Sequence, residues 1–376
     1  MPLYHSSAAV LSFLAVLQSG STQALGRKFS TRNFWREVRE SQATMIQYVG
    51  ETLRYLLAAP KPDPPSLDRD HRVHLAWGNG LRPDVWDEFK DRFGIKSIAE
   101  MYSATEGTFG LFNLSNNNFS KGAIGRNGWI YNKIMSRSIA IVAVDWSTDL
   151  PLRDPSTNLC RRVTPGEPGE MLFRLPDDPE MLKKRFQGYF KNPGATEKKI
   201  VRDALAKGDT WFRTGDVVRW GADGLVYFHD RIGDTFRWKA ENVSTAEVSQ
   251  TLGTHPAVQE ANVYGVQLPR HDGRAGCAAV HLNPSSPASQ DTFRSIAEHV
   301  RASLPRYAVP LFLRVLDGDV GQQSTGTYKQ QKNVLRDLGV DPGAGGPGTL
   351  YWLRDDGYVP FQQTDYKDIE GGTVKL

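Results

Sequence analysis

WFRTGDVVRWGADGLVYFHDRIGDTFRWKAENVSTAE, residues 211–247, reads as the end of one domain and the opening of another. Residues 217–220 and 225–228 are short β-rich runs on either side of Gly221-Ala222-Asp223-Gly224, a hairpin signal. Asp230-Arg231-Ile232-Gly233-Asp234 then sets alternating charge and a glycine at the exit of that hairpin, where a connector able to change its backbone dihedrals would sit. Taken alone, the stretch fits an ordinary hairpin with a charged loop as well as it fits a hinge.

Downstream, Ser244-Thr245-Ala246-Glu247 is a capping box that opens a short helix. Residues 258–266 and 277–282 read as strands and residues 290–303 as an amphipathic helix, together a small α+β lid of about a hundred residues. Residues 341–348 are rich in glycine and proline and read as a linker, so the expected domains are 1–230, 231–340 and a linker and tail over 341–376. Upstream, residues 122–228 form a β-rich subdomain. Residues 30–102 alternate helix and strand: strands at 44–49, 73–77 and 95–102, helices at 51–58 and from Pro83 through Phe93, and a tight turn at Gly78-Asn79-Gly80. Such alternation predicts an α/β fold, a large N-terminal lobe with a mainly parallel sheet.

At 376 residues the chain is long enough for two buried cores, and its mean hydropathy of −0.45 argues against several membrane spans. Lys and Arg are scattered among Asp and Glu at a net charge of +4, which excludes the concentrated basic patch of a nucleic-acid binder. Cys160 and Cys277 provide neither a disulfide framework nor a metal set, which suits a reducing compartment. The apolar run at 8–17 imitates a signal-peptide core, but no Lys or Arg precedes it and it is too short to span a bilayer, so a buried helix is expected.

Tyr102-Ser103-Ala104-Thr105-Glu106-Gly107 follows a strand at its carboxyl end, the edge where open α/β sheets bind ligands. It offers an aromatic face for a base, a hydroxyl for a phosphate and a carboxylate for a hard cation, although a polar strand-ending turn needs no ligand to explain it. Asp216 after Thr214-Gly215 is a natural acceptor for two ribose hydroxyls, and Arg231 a charge-assisted donor. As isolated residues both read equally as surface ion-pair partners. Lys329, in Ser324-Thr325-Gly326-Thr327-Tyr328-Lys329 before a helix at 330–338, reads alone as a solvated charge.

The Thr214-Gly215-Asp216, Asp230-Arg231, GDTFRWK and ENVST segments resemble the hinge region of the adenylate-forming acyl-CoA synthetase superfamily, in its fatty acid transport protein, or very-long-chain acyl-CoA synthetase, branch. The likeness runs in order from residue 1 to about residue 332. It implies that Tyr102 stacks on adenine, Thr105 contacts the ATP phosphates and Glu106 holds Mg²⁺. It implies further that Asp216 grips the ribose and that Arg231 lies at the domain junction. Lys329 matches the branch's TGT-aromatic-K segment and would stabilise charge on the carboxylate and α-phosphate during adenylation. Tyr4-His5 matches a segment near the acyl pocket, with His5 a candidate gate, and Gly78, Asn79 and Gly80 match a turn lining the acyl and nucleotide sites. Gly122 through Arg126 match a signature with no clear chemistry.

Departures also stand out. Gly233 occupies a position usually Asp or Lys, and Ala240 stands where a glycine normally helps to pass the pantetheine arm. No Gly/Ser/Thr-rich phosphate loop ending in lysine occurs, so the chain looks like the C-terminal portion of a synthetase with an incomplete large lobe. The implied activity uses ATP, Mg²⁺ and coenzyme A to convert a long- or very-long-chain fatty acid through acyl-AMP to acyl-CoA, with this chain inactive alone. The alternatives are an uptake or lipid-binding component without ligase chemistry, a CoA ligase for a secondary-metabolite or amino-adipyl-like carboxylate, and the adenylation domain of a peptide synthetase, which the absence of a carrier domain weakens. Val374-Lys375-Leu376, after a flexible Gly371-Gly372, differs from the peroxisomal address Ser-Lys-Leu at one residue. That ending implies a peroxisomal import receptor and a place in the peroxisome or at its membrane; otherwise the endoplasmic reticulum membrane or the cytoplasm is expected, with peripheral membrane association.

Overall fold

The strand and helix alternation of the N-terminal third folds into a four-stranded sheet, seen in a computed structural model that describes residues 5–104, 106, 107, 109–318, 332–374 and 376. In chain order the elements are α1 (Phe34–Glu40), β1 (Met45–Val49), α2 (Glu51–Ala58), β2 (Leu75–Asn79), α3 (Pro83–Phe93), β3 (Ser97–Ser103) and β4 (Gly110–Ser115). β1, β2 and β3 are parallel and β4 returns antiparallel along β3. α3 shows how local signals set an element. Pro83 sits in its first turn, Gly94 closes it in the left-handed conformation (φ 68°), and Val85, Trp86, Phe89 and Phe93 fall on its buried face. Phe93 and Trp35 of α1 stack at 4.6 Å in the core beneath the sheet.

A six-stranded antiparallel sheet follows. Its elements are β5 (Gly125–Arg126), α4 (Trp129–Met135), β6 (Ile139–Val142), β7 (Pro168–Leu175), α5 (Pro179–Arg185), α6 (Pro193–Lys198), β8 (Ile200–Arg202), β9 (Thr210–Trp220) and β10 (Leu225–Arg231). The strand order is β5-β10-β9-β7-β6, with β8 on the outer part of β9. β9 and β10 are the hairpin around Gly221 through Gly224. They run further than expected, so Asp230 and Arg231 still belong to β10 and do not form its exit.

The chain divides into two compact units, Met1–Ile232 and Gly233–Leu376. The second contains the ribbon β11 (Phe236–Trp238) and β12 (Glu241–Val243), α7 (Thr245–Gly253), β13 (Val258–Gln267), β14 (Arg274–Leu282), α8 (Gln290–Ser303), β15 (Phe312–Val315), α9 (Lys332–Leu338), β16 (Thr349–Arg354), β17 (Gly357–Pro360) and α10 (Gln363–Gly371). Strands β13 to β17 make one sheet in sequence order, parallel only between β14 and β15. The Ser244 hydroxyl caps α7 by accepting from the Glu247 amide at 3.2 Å.

Four expectations need correction. The segment read as linker and tail supplies two strands and a helix of the second unit: Trp352 and Tyr358 are buried in its core, and the Tyr358 hydroxyl donates to the Pro310 carbonyl at 2.8 Å. Gly371 and Gly372 are the end and the left-handed cap of α10, not a flexible spacer, and Val374 and Leu376 pack against the same core. The run at 8–17 is helical, but Val10, Leu14 and Leu17 are exposed, so it is not a buried helix. Finally, Gly78 and Asn79 lie in β2 and only Gly80 turns, at φ 79°. Gly78 is required because a Cβ there would lie 2.2 Å from the Tyr48 carbonyl oxygen on β1.

Candidate functional site

β1, β2 and β3 end together at the carboxyl edge of the first sheet, and a buried carboxyl organises that edge. Glu100 on β3 accepts from the Tyr48 hydroxyl at 2.5 Å through Oε2, and from the Leu81 amide at 3.1 Å and the Gly80 amide through Oε1. Burial pushes its pKa up to about 8 although all three donors favour the anion. The Gly50 amide donates to the Asn79 carbonyl at 2.8 Å, so the turns after β1 and β2 are tied to each other and to Glu100. Ser7 donates from its hydroxyl to Asn79 Oδ1 at 3.2 Å, and the His5 ring accepts the Ser7 amide at 3.3 Å. His5 therefore caps the first helical run, and through Ser7 that run reaches the same edge.

Two residues along β3 from Glu100, Tyr102 crosses to the second sheet. Its hydroxyl donates to Asp216 Oδ2 at 2.6 Å, while Arg231 Nε donates to Oδ1 at 3.2 Å. Asp216 and Arg231 face each other in the β9–β10 register, so the hairpin itself presents the pair. Burial, and then the Asp216 charge, raise the Tyr102 pKa far above the usual phenol range, so the hydroxyl stays a donor. Arg231 is more than half exposed, which leaves this end of the cluster open to a ligand.

Asp216 is held out of a regular strand by its own motif. The β7–β9 register slips between Arg213 and Val217, and Gly215 sits there at φ 76°. The Gly215 amide donates to buried Glu170 at 3.1 Å, Arg213 pairs with the same carboxylate at 2.8 Å, and Thr214 donates to the Met171 carbonyl at 2.7 Å. The Thr214 hydroxyl in turn accepts the Asp216 amide at 3.0 Å. Burial raises the Glu170 pKa against the opposing pull of Arg213.

Glu106, past the end of β3, accepts the Tyr189 hydroxyl at 2.6 Å, and burial followed by this carboxylate pushes Tyr189 up to about 12. Thr105 and Lys329 lie outside the described residues. The structure thus brings Tyr102, Asp216 and Arg231 together and sets Gly78, Asn79, Gly80 and, through Ser7, His5 along one sheet edge. Glu100, Glu170, Arg213 and Tyr189 escaped the sequence reading. The signal for the first two was there: a lone carboxylate between apolar neighbours in a strand run, Ala99-Glu100-Met101 or Gly169-Glu170-Met171.

A parallel-strand edge facing an acidic ribbon bulge, followed by a small α+β unit, defines the class. The chain belongs to the AMP-binding enzyme family: the AMP-binding enzyme model matches residues 1–185, and the AMP-binding enzyme C-terminal domain matches residues 247–326. Among curated relatives, it is 44% identical to "Isopenicillin N epimerase component 1" of Hapsidospora chrysogena, covering 99% of this chain and 61% of that protein. It is 43% identical to "Very long-chain fatty acid transport protein" of Cochliobolus heterostrophus (100% and 57%). To "Medium/long-chain-fatty-acid--CoA ligase FadD6" of Mycobacterium tuberculosis it is 42% identical (96% and 56%). The chain spans little more than half the length of these relatives. The crystal structure of the anthranilate CoA ligase AuaEII with anthranoyl-AMP shares the fold at a TM-score of 0.66 and 20% identity, over 87% of this chain and 56% of that one.

Proposed function

We propose that this protein supplies the adenosine-binding edge and the small C-terminal unit of an ATP-dependent acid–thiol ligase that converts a long- or very-long-chain fatty acid to its acyl-CoA. The observation that carries the reading is the meeting of Tyr102, Asp216 and Arg231 beside the Gly80 turn. It provides acceptors for ribose hydroxyls, a cation for the α-phosphate and an aromatic residue where a base would lie. In the reaction a carboxylate oxygen attacks the α-phosphorus of ATP and pyrophosphate leaves. The CoA sulfur, having lost its proton, then attacks the acyl carbonyl and AMP departs. Lys329 would offset charge on the carboxylate and α-phosphate in the first step. Thr105 would donate to the phosphates, and His5 would border the acyl pocket. Glu106 fits Mg²⁺, which is commonly held by one or two carboxylates with phosphates and water, and the ion would neutralise triphosphate charge. Tyr189 would hold that carboxylate in place when no ion is bound.

Titration of AMP into the 376-residue chain tests the reading. Asp216→Ala is expected to weaken binding at least roughly tenfold, the scale of losing charge-assisted hydrogen bonds; unchanged affinity would refute the assignment. In a hybrid joined behind the phosphate-loop portion of a relative, Lys329→Ala is expected to abolish adenylate formation and spare thioester formation from supplied acyl-AMP.

A second reading, a CoA ligase for a secondary-metabolite carboxylate, is favoured by the 44% identity to an isopenicillin N epimerase component. A hybrid turning over an amino-adipyl-type acid and no fatty acid would select it. No described helix is long and apolar enough to cross a membrane; the resemblance to fatty acid transport proteins supports peripheral work at a membrane surface. For peroxisomal import by a receptor, the ending would have to leave the core against which Val374 and Leu376 pack. A fluorescent protein carrying the last dozen residues and remaining diffuse would count against import.

A further inference from the structure

One end of the six-stranded sheet carries exposed apolar and basic side chains beside the Tyr189–Glu106 contact of the candidate site. β6 and β7 are antiparallel with Ile139 opposite Phe173, so α4, which leads into β6, and α5, which leaves β7, emerge at the same end. The Arg174 amide donates to the Ser138 carbonyl at 2.8 Å and ties the two exits together. Leu175 lies opposite Thr210 at the start of β9, and β8 pairs with that same start, so the 186–199 segment between α5 and β8 returns there as well. From this end project Ile130 and, one turn on, Ile134 of α4, Met181 of α5, and Phe190, which is 90% exposed.

The charge around these residues is basic on balance. Residues 174–203 hold eight Lys and Arg against five Asp and Glu, a net of +3 in which Asp177 pairs with Arg174, and residues 122–144 hold three basic residues and no acidic one. Glu180 faces Lys183 and Glu197 faces Arg202 in exposed pairs of little energetic weight. Lys199 turns inward to the Thr214 carbonyl, whereas Lys184, Lys191 and Lys198 enter no ion pair among the described residues, and Lys191 lies over the Phe190 ring at 5.3 Å.

We propose that this end of the sheet docks on the surface of an anionic lipid bilayer, with Phe190, Ile134 and Ile130 entering the interfacial layer while Lys184, Lys191 and Lys198 face lipid phosphates. Single apolar side chains set among basic ones suit a fluid interface that adapts to them and attracts positive charge. The inference rests on the reading that the chain works at a membrane surface; it specifies the face and the lipid charge.

Flotation of the full chain with neutral phosphatidylcholine vesicles, and with vesicles containing a third phosphatidylserine, tests it; aggregated protein sediments and cannot score as bound. The chain is expected to float with the anionic vesicles only and to detach as salt is raised. Each basic residue near an anionic surface is worth about fivefold in partition, so Lys184→Glu/Lys191→Glu should reduce flotation by at least roughly twentyfold. Phe190→Ser/Ile134→Ser should reduce it severalfold with an unchanged far-ultraviolet dichroism spectrum. No flotation of the unaltered chain would overturn both the docking surface and the peripheral-membrane reading. Undiminished flotation of both variants, or its loss through Leu14→Ser/Leu17→Ser instead, would overturn this surface alone.

Discussion

Glu100 is the residue on which the carboxyl edge turns, and its protonation gives the stability a pH dependence. The native carboxyl keeps its proton up to about pH 8, while in the unfolded chain it ionises in the ordinary carboxylate range. The native state therefore binds the extra proton between those limits. The contribution is complete in mild acid and is lost as pH rises towards 8 and through it. Glu100→Gln, which stays neutral, should flatten the fall in Tm between about pH 5 and 8, measured by thermal denaturation. A parallel fall in both proteins would refute the assignment. Glu100→Ala should destabilise by about 3 kcal/mol, because the Tyr48 hydroxyl and the Gly80 and Leu81 amides would lose their acceptor.

Between β11 and β12 an element carries strain that a single methyl group creates. Trp238 pairs with Glu241 across a two-residue loop, and both loop residues, Lys239 (φ 52°) and Ala240 (φ 67°), are left-handed, as in a type I′ turn. That turn favours glycine at its second central position, and a Cβ in this conformation costs about 1 kcal/mol or more. Ala240→Gly should therefore stabilise the second unit by roughly 0.5 kcal/mol after the glycine's greater unfolded-state entropy is deducted. Denaturant midpoints of the two proteins would show it, and a lower midpoint for the glycine variant would mean that the turn is not under strain.

For the whole molecule, the sheet order of the second unit decides which fragments fold. Residues 231–338 lack β16, β17 and α10, and so expose the β15 edge and the core that Trp352, Tyr358 and Phe361 cover. That fragment should aggregate, whereas residues 233–376 should unfold cooperatively in denaturant. Cooperative unfolding of the shorter fragment would show the final strands to be dispensable.

Wherever neighbours along the chain decide conformation, the sequence alone was sufficient. Pro83 and Gly94 bound α3, Ser244 starts α7, the 290–303 periodicity is α8, and the glycine-flanked turn at 221–224 joins β9 to β10. The same local reading failed at residues 349–371. The Gly/Pro-rich stretch before them looks like an exit from the fold, yet Arg314 on β15 donates to the Gly339 and Pro347 carbonyls and holds that stretch against the domain. Burial was likewise invisible locally: the apolar helix at 6–19 exposes its stripe, while Glu100 and Glu170 are engulfed, because both outcomes depend on which distant surfaces arrive. The candidate site shows the division most sharply. Tyr102 and Asp216 could each be singled out as residue types, but 114 positions separate them. Only the packing of a parallel sheet edge against an antiparallel bulge brings hydroxyl to carboxylate, and no periodicity along a chain carries that distance.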